Sequence, residues 1–331
     1  MEALFDRLAL QEGPVEAAAD GADEIDKQMI EHGSPRLPSG RYHSGVNPWL
    51  ERRVVAYAHQ GGAWEEPSST LYAIERALEA GADAIELDVH ATADGELVVC
   101  HDGTVDRTTD GHGRIADLTL AELKQLDNAY WFIPGADVTP DRADADYPYR
   151  GRAADDPRFR IATLREVLER FPGLALNLDI KQTAPVVSPY EATLARLLTE
   201  FERTDDVIVA SFLDPATDAF SAVAPDIPTS AGTLATAEFW RALHDGSELP
   251  RMRAVAFQVP ERQGDIVVVD EAFVEAAHGV GVAVHVWTVN DPTQMERLLD
   301  LGVDGIISDL PTTLSTVLAG RGLTWRGKLP R

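Results

Sequence analysis

The sequence predicts an α/β fold: a closed (β/α)8 TIM barrel with an inserted loop or subdomain and an N-terminal extension. Three observations lead there. Short apolar, β-branched runs alternate with amphipathic helical patterns about eight times, the signature of a parallel sheet covered by helices. The first run, "VVAYAH", lacks the G-x-G-x-x-G turn expected where an open doubly wound sheet binds a dinucleotide. The chain has 331 residues, 44% hydrophobic and 25% charged, enough apolar content for one large packed domain.

Taken in order, residues 1–50 read as the extension. A helical pattern over 15–31 gives way to the Pro-, Gly- and Ser-rich "HGSPRLPSGRYHSGVNPW". The barrel then occupies 51–320 and a tail 321–331. Its first half runs "VVAYAH", the helix "SSTLYAIERALEAG", the strands "AIELDVHAT" and "ELVVCHD", and a helix near "TLAELKQLD". Residues 128–160, "NAYWFIPGADVTPDRADADYPYRGRAADDPRFR", break the rhythm. They far exceed the roughly 2–6 residues usual for a barrel connection, which predicts a lid-like segment bordering the substrate opening. The rhythm resumes with "TLREVLERF", "LALNLDIK", "YEATLARLLTEFER", "VIVASF", "PATDAFSAVA", "IPTSAG", "AEFWRALHD", "AVAFQVP", "DEAFVEAAHGVG", "VAVHVWTVN", "PTQMERLLDLG", "GIISD" and "PTTLSTVLAG".

Charge narrows the partners. With 29 Lys plus Arg against 55 Asp plus Glu, the net charge of −26 argues against nucleic acid or an anionic membrane face. The single cysteine, Cys100, excludes an internal disulfide, and no run approaches the roughly 20 apolar residues of a membrane span. The acidic amino terminus does not resemble a signal peptide, so the expected location is cytoplasmic and the expected partner a small molecule.

Catalytic groups of such barrels sit where strands end at their carboxyl side. His59 closes the first run, and His101 and Asp102 close the third. Glu86 and Asp88 lie two apart on the second, and Asp179 and Lys181 two apart on "LALNLDIK", so each pair shares a face. Two inward carboxylates call for a cation. With Asp179 they form an oxygen-only set suited to Mg2+ or Ca2+; the alternative is that Glu86 and Asp88 pair with Lys or Arg at the rim. Lys181 would offset the excess negative charge and offer a point charge to an anionic oxygen. His59 and His101 flank the carboxylate strand, and an imidazole, whose unperturbed pKa is about 6.5, is the side chain suited to exchange protons there as acid or base. His90 reads as a supporting residue, and His285 as either a core or a supporting one. Cys100 points away from its neighbour His101 and reads as a small core residue.

These residues resemble the glycerophosphodiester phosphodiesterase family. That family opens with H-R-G and P-E-N-T; its next block is closely matched by "GADAIELDVHATADGELVVCHDGTVDRTTDGHGRIADLTLAEL". "IATLREVL", "LNLDIK", "VHVWTVND" and "GVDGIISDLP" match later segments in order, so the resemblance spans about residues 54–318. It implies a (β/α)8 barrel and hydrolysis of a phosphodiester of lipid or glycerol metabolism to an alcohol and glycerol 3-phosphate. It also implies His59 and His101 as acid and base, one divalent ion on Glu86, Asp88 and Asp179, and Lys181 on the phosphate. Trp287 would wall the substrate, with Phe212, ending "VIVASF", second to it in that role.

Three positions depart from the family pattern. Asp179 stands where glutamate is usual and is similar to the arrangement in sphingomyelinase D-type phospholipases. Ser68 and Ser69 replace Glu and Asn of P-E-N-T. Gln60 replaces the arginine after the first histidine, giving up a charge-assisted clamp on phosphate. The departures keep two alternatives in view: a phospholipase D-like lyase that forms a cyclic phosphate, and a non-catalytic barrel that binds phosphorylated head groups.

Overall fold

The computed structural model describes residues 47–51, 54–136, 138, 140 and 142–323. The helical pattern of 15–31 and the tail beyond 323 lie outside the described residues. The strands are β1 Val55–His59, β2 Ala84–Ala91, β3 Leu97–Val99, β4 Ala175–Ile180, β5 Val207–Ala210, β6 Ser230–Ala231, β7 Ala256–Pro260, β8 Arg262–Gln263, β9 Ile266–Val267, β10 Ala283–Trp287 and β11 Gly305–Ser308. The main helices are α1 Leu71–Ala80, α2 Leu164–Arg170, α3 Glu191–Glu200, α4 Asp214–Val223, α5 Thr233–Asp245, α6 Glu271–Gly279, α7 Pro292–Leu301 and α8 Pro311–Gly320.

Eight strands run β5-β4-β2-β1-β11-β10-β7-β6, each parallel to its neighbours. Val209 of β5 bridges Thr229, just ahead of β6, in parallel, and so brings the two ends of the sheet together. The expected barrel is what forms, with one correction to the strand order. "ELVVCHD" supplies no stave: β3 lies antiparallel on the end of β2, with Val89 opposite Val99 and His90 opposite Val98. A connection as short as "TADGE" permits a hairpin but not the dozen or more residues of a parallel crossover. The helix expected near "TLAELKQLD" is a single turn, Leu120–Leu123, started by a Thr119–Glu122 capping box.

Period-two alternation sorts the strand side chains into two layers. Ile85, Leu87 and Val89 of β2 face outward, packed with Ile74 of α1, Leu164 of α2 and Leu194 of α3. A second outer cluster joins Phe257, Val284 and Ile306 to Phe239, Phe273 and Leu298. Each such fully buried side chain contributes about 1.5–3 kcal/mol. Inside the barrel, the lower half is plugged by Trp49, Tyr57, Ile208 and Ile307, with Ala84, Ala175 and Ala283 leaving room for the two large rings. His285 packs against Trp49 and Tyr57 in that plug, and above it the inward positions turn polar: Glu86, Asp88, Asn177 and Asp179 are all buried.

Helix starts are set locally. Thr70, Asp270 and Asp291 accept from the first-turn amides of α1, α6 and α7, and Thr163 forms a capping box at α2. Gly81, at φ 99°, ends α1 in the left-handed conformation.

Within 128–160, the described residues form short 3-10 turns at Asp144–Asp146, Arg152–Ala154 and Pro157–Phe159, held by aromatic packing. Tyr72 of α1 stacks on Phe159 at 4.5 Å and meets Tyr149 at 5.4 Å. The Arg150 guanidinium lies 3.8–4.6 Å from the Tyr147, Tyr130 and Trp131 rings. Arg158 pairs with Glu75 of α1 at 2.6 Å, and Tyr149 donates to Glu66 at 2.9 Å, so the segment is fastened to the barrel's first helix.

Candidate active site

Strand register brings the expected residues to one end of the barrel. His59 is opposite Glu86 across β1 and β2, and Asp88 is opposite Asp179 across β2 and β4. His101 comes over the same mouth on the chain leaving β3, where its carbonyl accepts from His90 Nε2 at 3.3 Å. The two imidazoles lie 6.3 Å apart, edge to face at 84°.

Each histidine is held through Nδ1 by a carboxylate. His59 Nδ1 lies 2.6 Å from Asp309 Oδ1, and His101 Nδ1 lies 2.7 Å from Asp102 Oδ1. Asp309 follows β11 and is itself held: Asn290 Nδ2 donates to its Oδ2 at 2.7 Å, while Asn290 Oδ1 accepts from the Asp309 amide at 2.9 Å and the Ser308 hydroxyl at 3.1 Å. Asp102 accepts from Arg107 Nε at 2.6 Å and Nη2 at 3.1 Å. Sequence reasoning passed over Asp309, although it closes "GIISD" by the same strand-end rule that found the histidines. It assigned no role to Asn290 or Arg107.

The turn after β1 explains the local sequence there. Gln60, Gly61 and Gly62 are three consecutive left-handed residues, at φ 52°, 83° and 96°. A Cβ on Gly61 would lie 3.0 Å from the Ala73 Cβ, and one on Gly62 would lie 2.8 Å from Pro311 Cγ. The glycines therefore serve the reversal and its close packing on α1 and α8, rather than a bare approach to a phosphate. Gln60, buried, has its amide on Glu86 Oε2 at 3.2 Å and its side-chain Nε2 3.2 Å from His59 Nε2.

The carboxylates surround an ammonium. Lys181 Nζ is 3.1 Å from Asp88 Oδ1 and 3.1 Å from Asp179 Oδ2. Burial works against its charge, but Asp88, Asp179 and Glu86 together hold it charged well above the ordinary lysine range. Burial also works against the Asp88 carboxylate, and Lys181, His101 and His59 together more than offset it, so Asp88 is held below the usual carboxylate range. Glu86 is pushed up to about 8, by burial first and then by Asp88. His59 is raised to about 9: burial opposes its charge, while the Asp309 hydrogen bond and the Glu86 field outweigh it.

Does this set fit a divalent ion? Among the described residues, no three His, Cys, Asp or Glu side chains gather so as to hold a metal as they stand. The donor chemistry fits one. Asp88 Oδ2 and Asp179 Oδ1 are buried and make no hydrogen bond, and three carboxylates face a single lysine.

A cleft of about 220 Å³ opens beside the histidines. Its walls include both imidazoles, Gln60, Arg107, Trp64 and Phe132, so the inserted segment contributes one side. Across the mouth, Phe212 meets Trp287 edge to face at 5.4 Å, and Lys181 Nζ lies 5.5 Å from the Phe212 ring centre. Cys100 is buried in the outer core with its thiol pushed up to about 12 by burial. His285 is fully buried beneath the site.

Comparisons with known proteins place the chain in a family. The pattern of the glycerophosphoryl diester phosphodiesterase family matches residues 59–313. A glycerophosphodiester phosphodiesterase of Caldanaerobacter subterraneus subsp. tengcongensis is 32% identical over 272 residues, covering 82% of this chain and 100% of the relative. One of Bacillus subtilis is 31% identical over 275 residues, covering 81% and 87%. Among solved structures, the glycerophosphoryl diester phosphodiesterase domain of a Mycobacterium tuberculosis protein shares the fold with a TM-score of 0.66 at 22% identity, covering 80% of this chain and 98% of that one. An Oleispira antarctica phosphodiesterase, solved with its product sn-glycerol-3-phosphate, has a TM-score of 0.61 at 24% identity and covers 82% and 99%. With a family match that spans both histidines and Asp309, and full-length relatives more than 30% identical, the chain belongs to the glycerophosphoryl diester phosphodiesterase family.

Proposed function

We propose that this phosphoric diester hydrolase cleaves glycerophosphodiesters to an alcohol and glycerol 3-phosphate, using His59 and His101 for proton transfer and one divalent cation, Mg2+ or Ca2+. One observation carries the reading: two histidines, each oriented by a carboxylate at Nδ1, share one cleft beside a buried carboxylate and lysine cluster. With Nδ1 engaged by a carboxylate, Nε2 is the nitrogen each ring has left for a substrate proton, and at His59 a substrate would replace the Gln60 side chain, whose Nε2 lies 3.2 Å away. One imidazole takes the proton of the attacking hydroxyl, and the other returns one to the leaving alkoxide.

Glu86, Asp88 and Asp179 are the residues that would hold the cation, which supplies charge withdrawal from a non-bridging phosphate oxygen when bound. Lys181 adds a fixed positive charge at the same oxygens. Gln60 contributes a neutral amide at the cleft floor, and Trp287 with Phe212 gives an aromatic wall for the glycerol.

The test is hydrolysis of glycerophosphocholine and bis(p-nitrophenyl) phosphate with and without EDTA. His59→Ala and His101→Ala are each expected to lower kcat by about 10²–10⁴-fold. Full activity in chelator would sink the cation's part, and full activity in both variants the histidines' part. Phosphorus NMR of the product separates hydrolysis from formation of a cyclic phosphate.

A further inference from the structure

The cleft of about 220 Å³ beside the histidines has walls that the proton transfers leave unused. Trp287 and Phe212, assigned above to the glycerol, are not among its lining residues, so it is the space left for the other substituent of phosphorus, the departing alcohol. Trp64 and Phe132 give it two rings. Among the described residues that line it, Arg107 is the one Lys or Arg.

The carboxylates of the cleft are already engaged. Asp102 Oδ1 meets His101 Nδ1 and Arg107 Nη2, and its Oδ2 meets Arg107 Nε; Asp309 places Oδ1 on His59 and Oδ2 on Asn290. No carboxylate oxygen there is left over for a cationic head group. Arg107 stands in the reverse position. Its Nε and Nη2 hold Asp102, while Nη1 makes no hydrogen bond among the described residues, and the side chain is 40% exposed to what enters the cleft. A guanidinium carries donors only and keeps its charge, so Nη1 is a permanent charged donor in want of an acceptor.

The residues around it hold that donor in place. Asp102 grips the guanidinium at two points, and the next residue, Thr108, donates through Oγ1 to the buried Asn128 at 2.6 Å. Asn128 Nδ2 donates to the Ser68 carbonyl at 3.2 Å, and the Trp131 indole donates to the Thr109 carbonyl at 2.7 Å. Residues 107–109 are thus pinned between the turn after β1 and the start of the inserted segment. That segment bears on the substrate without touching the reacting atoms.

We propose that Arg107 determines which alcohol leaves, its Nη1 donating to an oxygen acceptor on the departing group. Alcohols that carry a carboxylate or a further hydroxyl are favoured over those that carry only an ammonium, which brings a like charge and no acceptor to the same place. The proposal rests on the hydrolase reading above and adds a specificity-determining residue to it.

The experiment compares kcat/KM for glycerophosphoserine and glycerophosphoethanolamine, two diesters that differ by one carboxylate. Both are measured with the wild type and with Arg107→Gln, at about 0.15 M ionic strength so that the field of the whole acidic chain is screened alike for the two. The wild type is expected to favour the serine diester about tenfold or more, as a hydrogen bond to a charged donor predicts. Arg107→Gln is expected to bring the ratio to within about twofold of one, chiefly by lowering the value for the serine diester. A wild type that does not prefer the serine diester would overturn the proposal. So would an Arg107→Gln that slows both substrates equally, the result of a purely structural role through Asp102 and His101. Failure of the wild type to cleave either diester would instead overturn the hydrolase reading.

Discussion

The two histidines are held by opposite means. His59 ends a barrel stave, and its carboxylate Asp309 is fixed by Asn290 and by the end of β11. His101 sits beyond a hairpin at the rim, and its carboxylate is the next residue, paired with the partly exposed Arg107. One half of the site is positioned by the core and the other by surface charge. Perturbations of the first half should therefore cost far more than the same changes in the second.

The sharpest way to break that contrast is a matched pair of substitutions. Asp309→Asn should lower kcat by about 10²–10⁴-fold with little change in KM, because an amide at Nδ1 no longer fixes the ring or its tautomer. Asp102→Asn should cost about tenfold or less, since solvent and Arg107 surround that pair. Equal losses in steady-state kinetics would mean that burial does not distinguish the two halves.

Next in size is the buried cluster on the core side. Lys181→Met leaves Asp88 and Asp179 without their shared cation, a change expected to destabilise by about 3–5 kcal/mol. Urea denaturation should show it as a lowered midpoint with an unchanged slope. An unaltered midpoint would indicate that the carboxylates do not depend on the lysine.

His285 extends the comparison deeper into the barrel. Burial lowers it from 6.5 to about 4. Its folded pKa lies below its unfolded one, so the unfolded chain binds more protons between those values and stability falls as pH drops through them. The loss should reach about 3 kcal/mol by pH 4. Denaturation midpoints across pH 7 to 4 should flatten in His285→Asn. Asp83 opposes that trend: burial raises it to about 6, so its own contribution grows as pH falls.

The smallest effect belongs to the rim. Arg107→Gln should change stability by less than about 1 kcal/mol, and raising salt should reduce even that difference. A large effect would give the exposed half a structural weight that its solvation does not suggest.

Much of this was legible because strands have a period of two. Glu86 with Asp88 and Asp179 with Lys181 could be placed on shared faces before any coordinates, and the closing polar residue of a strand pointed to His59. The same rule applied to "GIISD" leads to Asp309, and only the absence of a local partner in the sequence hid it: His59 is 250 residues away. Other features depend on contacts with no period. The Arg150 stack and the Arg158–Glu75 pair arise from irregular chain meeting α1, and nothing in the composition of 128–160 names those partners. The antiparallel course of β3 was available in principle, in the shortness of its connection to β2, but apolar runs carry no sign of direction.

That hairpin has a consequence for how the enzyme tolerates change in length. Val89 is opposite Val99, and the Cys100 amide donates to the Asp88 carbonyl at 3.0 Å, so the position of His101 is counted from the residue beside a site carboxylate. Inserting or deleting a single residue in the turn between Ala91 and Glu96 would slip the count by one. Because neighbouring strand residues face opposite ways, the slip would turn the thiol of Cys100 toward the mouth and send the imidazole of His101 into the apolar layer. The five residues of "TADGE" thus act as a ruler: their number sets where His101 falls, and Gly95 at φ 83° with the Asp94 carboxylate, which accepts from Thr92 Oγ1 and the Leu120 amide, holds the turn to that length.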